Sequence, residues 1–599
     1  MNVASKIPVS CLAWAVGWSV FHVPSDVGAP ARVPSSFEEA SEIRRTGDSK
    51  PSKPAGREAA SRADVDDWVK DLSAPRPETR RSAVKKLAEL GTRESFGHVL
   101  KALADVDGQV ADEAQLAAGA VVEPRLVGDL AACFSDPNGD AWVRLRAVEA
   151  AGRTPANVEA KRVWRCLQPA TGELARTALW TLERQGLARR VDGDAVDVAD
   201  KLAALAGRGS DAWVRGAAIF ALRPFDAFRA HDAALEALAE RDEALRCAAL
   251  GVVSTFTEQE NLTVSTRALE DESTAVRAAA IANLERLKSR PAVLALIARL
   301  EREERTRLRY EIQRFLREIS GEDHGFDLAA WRAWASTLQG PWSTGGTRPA
   351  TGPLGDTRVA LAGLTLLSDR VTFLIDLSGS MWDTKRGERT RKEMVDEKLR
   401  ACLEALPKSA KFNVIPYTRD PIPWEKRLVP ATRENVARAA EWFERCHQRG
   451  PGNVYDTAVL ATEDPEVDTL VILTDGVPTG GRRWNLDLMV DLLVERNRYR
   501  QVAYDSILVD APKRNRALWA ELAERTGGRS IAVEAFEDLK PAPRPPDPKG
   551  EAPRRSEVRA SPGECPRVEC RPQRRHHDAP PPRLPVLVVP ARLDAGPRP

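Results

Sequence analysis

Cysteine is sparse in this chain, eight among 599 residues, and no Cys-x-x-Cys pair occurs. Neither a disulfide framework nor a clustered zinc site is expected. Cys402 and Cys446 fall in one expected domain, and two separate buried thiols are the simpler reading of them. Charge imbalance is missing too, since 89 basic and 87 acidic residues leave a formal +2. A dedicated nucleic-acid binder would show a concentrated basic footprint, so that class is set aside. No apolar stretch reaches the ~20 residues that a membrane-spanning helix needs. The nearest approach, Ile7 to Val23, is short and interrupted. It follows Lys6 and precedes Ala29-Pro30-Ala31, the pattern of a secretory signal with a small-residue cleavage site. Residues 1–31 are therefore expected to direct export, to the periplasm, the cell envelope or the exterior. A cytoplasmic protein with this stretch as a plain tail is the competing reading. P-loop and Gly-x-Ser-x-Gly signatures are both absent, which argues against an ATPase or a hydrolase elbow.

What the chain does have is length and a repeat. At 599 residues it exceeds what one core supports, so several domains are expected. Residues 32–62 are rich in Pro, Ser, Ala and charge without periodicity and read as a linker. Then one pattern recurs, as TRRSAVKKL, VADEAQLAA, VRLRAVEAA, ARTALWTL, VRGAAIFAL, LRCAALGVV, VRAAAIANL and LRYEIQRFL. The second residue of each copy stands at 80, 111, 144, 176, 215, 246, 277 and 309, with gaps of 31, 33, 32, 39, 31, 31 and 32. A period this regular means stacked structural repeats. Val143, Ala147 and Ala150 lie at i, i+4 and i+7, one apolar helical stripe. Asp140, Asp211 and Asp271 stand just ahead of such helices and are expected to cap them. Two helices per copy, each burying its stripe on neighbours, predict an α-solenoid over 63–337.

The Asp-x-x-Val-Arg-x-x-Ala pattern of DAWVRLRA and DAWVRGAA resembles HEAT repeats. That resemblance implies a scaffold that binds other proteins through a curved face or serves as a spacer. FDLAAWRAWAS, with Trp331 and Trp334 as core residues, is expected to close the stack. A Gly/Pro/Thr-rich connector over 338–357 then breaks the helical period. Over 358–538 apolar runs alternate with amphipathic helices: VALAGLTLL, VTFLID, KFNVIPY, TLVILTD and VAYDSILV as strands, with helices between them. This alternation predicts a doubly wound, mostly parallel sheet, with any ligand at the carboxyl ends of its strands. The tail, 541–599, holds 16 prolines in 59 residues and cannot bury enough surface to fold.

The decisive stretch is VTFLIDLSGSMWD, Val371 to Asp383. A buried strand ends in Asp376, Ser378 and Ser380, and Gly379 permits a tight turn, so carboxylate and hydroxyl oxygens converge. A second parallel strand brings Asp475 to the same edge. Oxygen donors with few net charges suit Mg²⁺ or Mn²⁺. DLSGSM together with LTDG resembles the von Willebrand factor A domain and its metal-ion-dependent adhesion site. The resemblance implies that Ser378 and Ser380 ligate directly, that Asp376 holds the ion largely through water, and that Asp475 completes the third loop. An acidic group from a partner protein would fill the open position. The second loop departs from the family pattern: Gly450-Pro451-Gly452-Asn453-Val454-Tyr455-Asp456 places Gly452 where a threonine hydroxyl is usual. Asn453 is expected to shape the turn rather than to ligate.

Three functions follow. The leading one is a non-catalytic, adhesion-type scaffold with a metal-dependent site, acting on a protein partner rather than on nucleic acid or a small-molecule substrate. The alternative is a partner subunit of an AAA+ ATPase of the MoxR or chelatase type, which shares this metal site. A hydrolase using Ser378 or Ser380 with His447 as base is the weakest, because no oxyanion arrangement can be named.

Overall fold

Eight helices carry the repeated motif: α1 Pro77–Leu90, α2 Gly108–Gly119, α3 Ala141–Arg153, α4 Gly172–Leu187, α5 Ala212–Leu222, α6 Glu243–Val253, α7 Thr274–Leu287 and α8 Thr306–Ser320. All eight repeat positions fall inside them, so the period is one helix pair. The computed structural model describes residues 62–207, 211–338, 359–383, 385–386 and 389–533. The expected signal peptide, most of both linkers and the tail lie outside these residues. Between the motif helices run second helices, among them Arg93–Lys101, Pro124–Ser135, Ala195–Ala206, Ala227–Ala237, Glu258–Ala268 and Arg290–Arg302. None of the described helices is long and apolar enough to cross a membrane.

Small side chains let these helices approach closely. Ala147 and Ala150 of α3 are completely buried, as are Ala218 and Ala221 of α5 and Ala248 and Ala249 of α6. Asp140 caps α3 by accepting from Trp142 N and Val143 N at 2.9 Å, and Asp211 caps α5 by accepting from Val214 N at 2.9 Å. Asp271 does not cap α7, whose N-cap is Ser273. Its two oxygens instead take Arg246 at 2.8 and 2.9 Å. That pairing belongs to a ladder: Arg80–Asp105, Arg215–Glu240, Arg246–Asp271 and Arg277–Glu303 each join residues 25 or 26 apart. Each rung ties one motif helix to the segment leading into the next. The single long gap, 39 residues, holds Val191–Asp192, which pairs in parallel with Val158–Glu159 of the interval before it. At the end of the stack Trp331 is fully buried and its indole N–H donates to Gly325 O at 3.0 Å.

The second half is α/β. Its central sheet has six strands: β1 Arg370–Asp376, β2 Lys411–Tyr417, β3 Val429–Pro430, β4 Thr469–Thr474, β5 Ala503–Val509 and β6 Ser530–Val533, in the order β6-β5-β4-β1-β2-β3. Every pairing is parallel except β2 with β3. Helices α9 Arg391–Ala405, α10 Arg433–Glu444, α11 Val454–Ala461, α12 Leu486–Asn497 and α13 Lys513–Arg525 flank the sheet. Two apolar clusters, one on each face, account for the near-continuous hydrophobic runs of the central strands. VALAGLTLL adds no strand to the central sheet. It is a two-residue hairpin pairing Ala360 with Thr365, turned by Ala362 and Gly363 at φ +46° and +90°. Cys402 and Cys446 are buried, free thiols.

The two halves are packed together along the motif helices. Arg483 is buried and donates to Glu149 Oε2 at 2.8 Å and to Gln115 Oε1. Arg146 reaches Asp112 Oδ1 at 2.5 Å and Arg482 O at 2.8 Å. Asp112 Oδ2 accepts from Trp484 N and Asn485 N at 2.9 Å, serving the start of α12 from outside. Further along, Arg153 pairs with Asp491 at 2.7 Å, Arg498 with Glu183 at 2.8 and 2.9 Å, and Arg500 with Glu243 at 2.8 Å. Arg307 of α8 donates to Asp468 O at 2.7 Å and Gln501 O at 2.6 Å. Aromatic knobs complete the seam. Tyr499 stacks on Trp213 at 4.6 Å and packs against Gly216, while Trp484 fills the space beside Gly108, where a Cβ would lie 2.1 Å from its Nε1.

Candidate cation site at the carboxyl edge of the sheet

Strands β1 and β4 end side by side, and this brings the sequence-predicted residues together. Asp376 closes β1 and is 1% exposed. Its Oδ1 accepts from Ser378 N at 2.7 Å, which folds the DLSGSM turn back over the strand end. Ser378 Oγ and Ser380 Oγ lie 3.2 Å apart, and Ser380 Oγ donates to Asp475 Oδ2 at 2.5 Å. Two carboxylates and two hydroxyls thus face one point. Burial, and then the neighbouring Asp475 charge, push the Asp376 carboxyl up to about 6.

The second loop meets the same point. Ser378 bridges to Gly450 in parallel register, and an ideal Cβ on Gly452 would lie 3.4 and 3.5 Å from the two Asp376 oxygens and 3.5 Å from Ser378 Cβ. Gly452 therefore faces the site with no side chain, and a Cβ there would sit in ordinary van der Waals contact. Asn453 does not turn towards it. Its Oδ1 accepts from Asp456 N at 3.2 Å as the N-cap of α11, and its amide donates to Arg419 O at 2.9 Å. His447 lies against the Trp382 ring, with centroids 6.0 Å apart.

Three residues at the site escaped the sequence reading. Thr474 Oγ1 donates to Asp376 Oδ2 at 2.8 Å. Thr479 Oγ1 accepts from Gly452 N at 2.7 Å and so ties the second loop to the third. Tyr417, paired in register with Asp376, is fully buried beside Asp376 and Thr474, and its hydroxyl completes no hydrogen bond among the described residues. Thr474 could have been found from the sequence, because it immediately precedes Asp475 at a strand end. Tyr417 required the strand register.

The donor set fits a small hard cation: all oxygen, two carboxylates pressed together, and a nearby buried hydroxyl with bonding capacity to spare. It offers one protein oxygen fewer than the family pattern because of Gly452. Among the described residues there is no group of three or more His, Cys, Asp or Glu side chains placed to hold a metal, so any cation here depends on the serine hydroxyls.

Residues 369–531 match the family model described as von Willebrand factor type A domain. The chain carries such a domain after its helical region. Over 130 residues, 20% of this chain and 13% of the other, it is 32% identical to inter alpha-trypsin inhibitor, heavy chain 4, of Mus musculus. The human inter-alpha-trypsin inhibitor heavy chain H4 is 30% identical over 131 residues, again 20% and 13% of the two chains. The chain thus spans about an eighth of the length of these curated relatives. Among solved structures, a von Willebrand factor type A protein from Catenulispora acidiphila aligns at 17% identity and a TM-score of 0.24, covering 29% of this chain and 40% of that one.

Proposed function

We propose that this chain is a non-catalytic protein-binding scaffold. Its type A domain, over 358–538, takes Mg²⁺ or Mn²⁺ on Asp376, Ser378, Ser380 and Asp475 and, through it, an acidic group of a protein partner. The carrying observation is the convergence of these four side chains from two strand ends, closed by the 2.5 Å Ser380–Asp475 hydrogen bond. A bound cation supplies an open coordination position for a partner's carboxylate. The chain's own residues hold the loops: Thr474 orients Asp376, and Thr479 braces the second loop. Water is the natural substitute for the oxygen that Gly452 lacks.

The HEAT-like region, over 63–337, serves here as a frame. Its motif-helix face is already committed to α12 and the turn after it, so an external partner meets the carboxyl-edge loops instead. The relatives' names, inter-alpha-trypsin inhibitor heavy chains, fit a protein-interaction role. An expected export signal would put both site and partner outside the cytoplasm. Pull-down from a native extract with intact chain, with and without EDTA, tests the reading. A partner retained only with Mg²⁺ or Mn²⁺ and lost in Asp376→Ala supports it. Retention indifferent to EDTA and to Asp376→Ala refutes the metal mechanism.

A further inference from the structure

Tyr417 poses a question that packing alone does not answer. It is completely buried, and among the described residues its ring makes no aromatic pair of the kind seen between Phe412 and Trp424. It sits among Leu374, Ile415, Ile472 and Tyr455, an apolar slot that a phenylalanine would fill equally well. Its hydroxyl is nevertheless unpaired among the described residues. A buried, unpaired hydroxyl destabilises a fold and calls for a reason. Tyr499 also has an unpaired hydroxyl, but its ring stacks on Trp213 and meets Phe220 edge-on, so its body explains its presence.

The location supplies the reason. β2 pairs Tyr417 with Asp376 across β1, and β4 presents Thr474 on the other side. The three side chains form one row across three parallel strands, at the edge where the candidate cation site lies. Thr474 already donates to Asp376 Oδ2, and Ser378 N to Oδ1. A carboxylate has about four lone-pair sites, so Asp376 can accept one donor more. Two others of its surroundings are fixed: Gly452 offers no hydroxyl, and Asp475 is a carboxylate.

We propose that Tyr417 is a positioning residue for the cation site, its hydroxyl donating to the Asp376 carboxylate when a divalent cation is held there and fixing how that carboxylate is turned. The inference rests on the cation reading of the preceding section. It explains why a tyrosine rather than a phenylalanine stands at this spot. It also gives Asp376 a second side-chain donor, opposite Thr474, in a chain whose second loop contributes none. Outer partners of this kind orient metal ligands, and their loss typically weakens binding about 10–100-fold.

The test uses the intact chain and its Tyr417→Phe variant, titrated with Mg²⁺ and with Mn²⁺ by calorimetry and melted in EDTA and in saturating Mg²⁺. The expected result is about tenfold weaker binding of both ions, a smaller Mg²⁺-induced rise in Tm, and a Tm in EDTA equal to or above that of the parent. A purely structural tyrosine would show the reverse, a lower Tm in EDTA with affinity unchanged, and that outcome overturns the proposal. Equal affinities in parent and variant overturn it as well. If the parent itself binds neither ion, the cation reading has failed first, and the parent titration alone reveals it.

Discussion

At Gly452 the second loop brings a bare backbone carbon against Asp376, and a Cβ there would make only ordinary van der Waals contacts, at 3.4 to 3.5 Å. Its φ is not among the positive ones, so a branched residue meets no left-handed strain. Gly452→Thr should therefore be accepted and should place a hydroxyl beside the Asp376 carboxylate. About tenfold tighter Mg²⁺ binding is expected, roughly 1.4 kcal/mol, measured by titration calorimetry. Asp376→Ala should abolish most of the heat in both backgrounds. Much at this scale was legible in the sequence. A strand running into Asp-x-Ser-x-Ser, with a second strand ending in Asp475, is enough to foresee the meeting of four side chains. The roles of Tyr417 and Thr479 were not legible, because each depends on which residues lie opposite in space. Asp271 shows the same limit. The sequence makes it a helix cap by position, and Arg246 takes it by reach.

Among the elements, α3 shows what a hydrophobic period leaves out. On a helix wheel Arg146 and Glu149 read as a solvated face, yet every residue of α3 from Arg144 to Gly152 is buried, because α12 and its leading turn cover that side. Periodicity identifies an apolar stripe and is blind to a polar stripe that another part of the chain will desolvate. Arg483→Ala should be costly for that reason. It strips the partner from Glu149 and a neighbour from Asp112, both completely or nearly completely buried, and about 3–5 kcal/mol of stability should be lost in urea unfolding. Asp491, on α12, gives a pH signature. Burial opposes its ionisation, but the charges of Arg153, Arg184 and Arg525 outweigh burial and hold its carboxyl at about 2 instead of 3.8. A depressed carboxyl stabilises the fold above its unfolded value. The contribution, about 2 kcal/mol by linkage, should be intact above pH 4 and vanish as the pH falls from about 4 to 2. Asp491→Asn should flatten that part of the stability curve, and a variant retaining the parent's acid slope would contradict the assignment.

For the molecule as a whole, alternation of strands and helices in the second half and a period near 32 residues in the first were enough to foresee two architectures. Their union was not foreseeable. The interdomain seam is built of arginine pairs and two aromatic knobs scattered over nearly 400 residues, from Gly108 to Gln501, and no local pattern announces a contact at that separation. The consequence is measurable. With a specific protease site inserted within 339–358, cleavage should leave the two fragments co-eluting on size exclusion at neutral pH, since the buried Arg483, Arg153 and Arg498 pairings do not depend on the connector. Separation into two peaks under the same conditions would show that the seam is too weak to hold the halves together.

The glycines at 108 and 216 carry one more implication. Tandem arrays commonly lengthen or shorten over evolutionary time by whole-unit duplication or loss. Here Trp484 must find Gly108, and Tyr499 must find Gly216, from two points on a single rigid helix and its flanks. That helix acts as a gauge laid along the array, and inserting or removing a unit between α2 and α5 would leave one knob without its socket. In lineages that keep this arrangement, copy number between those two glycines should be frozen, while the count beyond α8 or before α1 is free to drift.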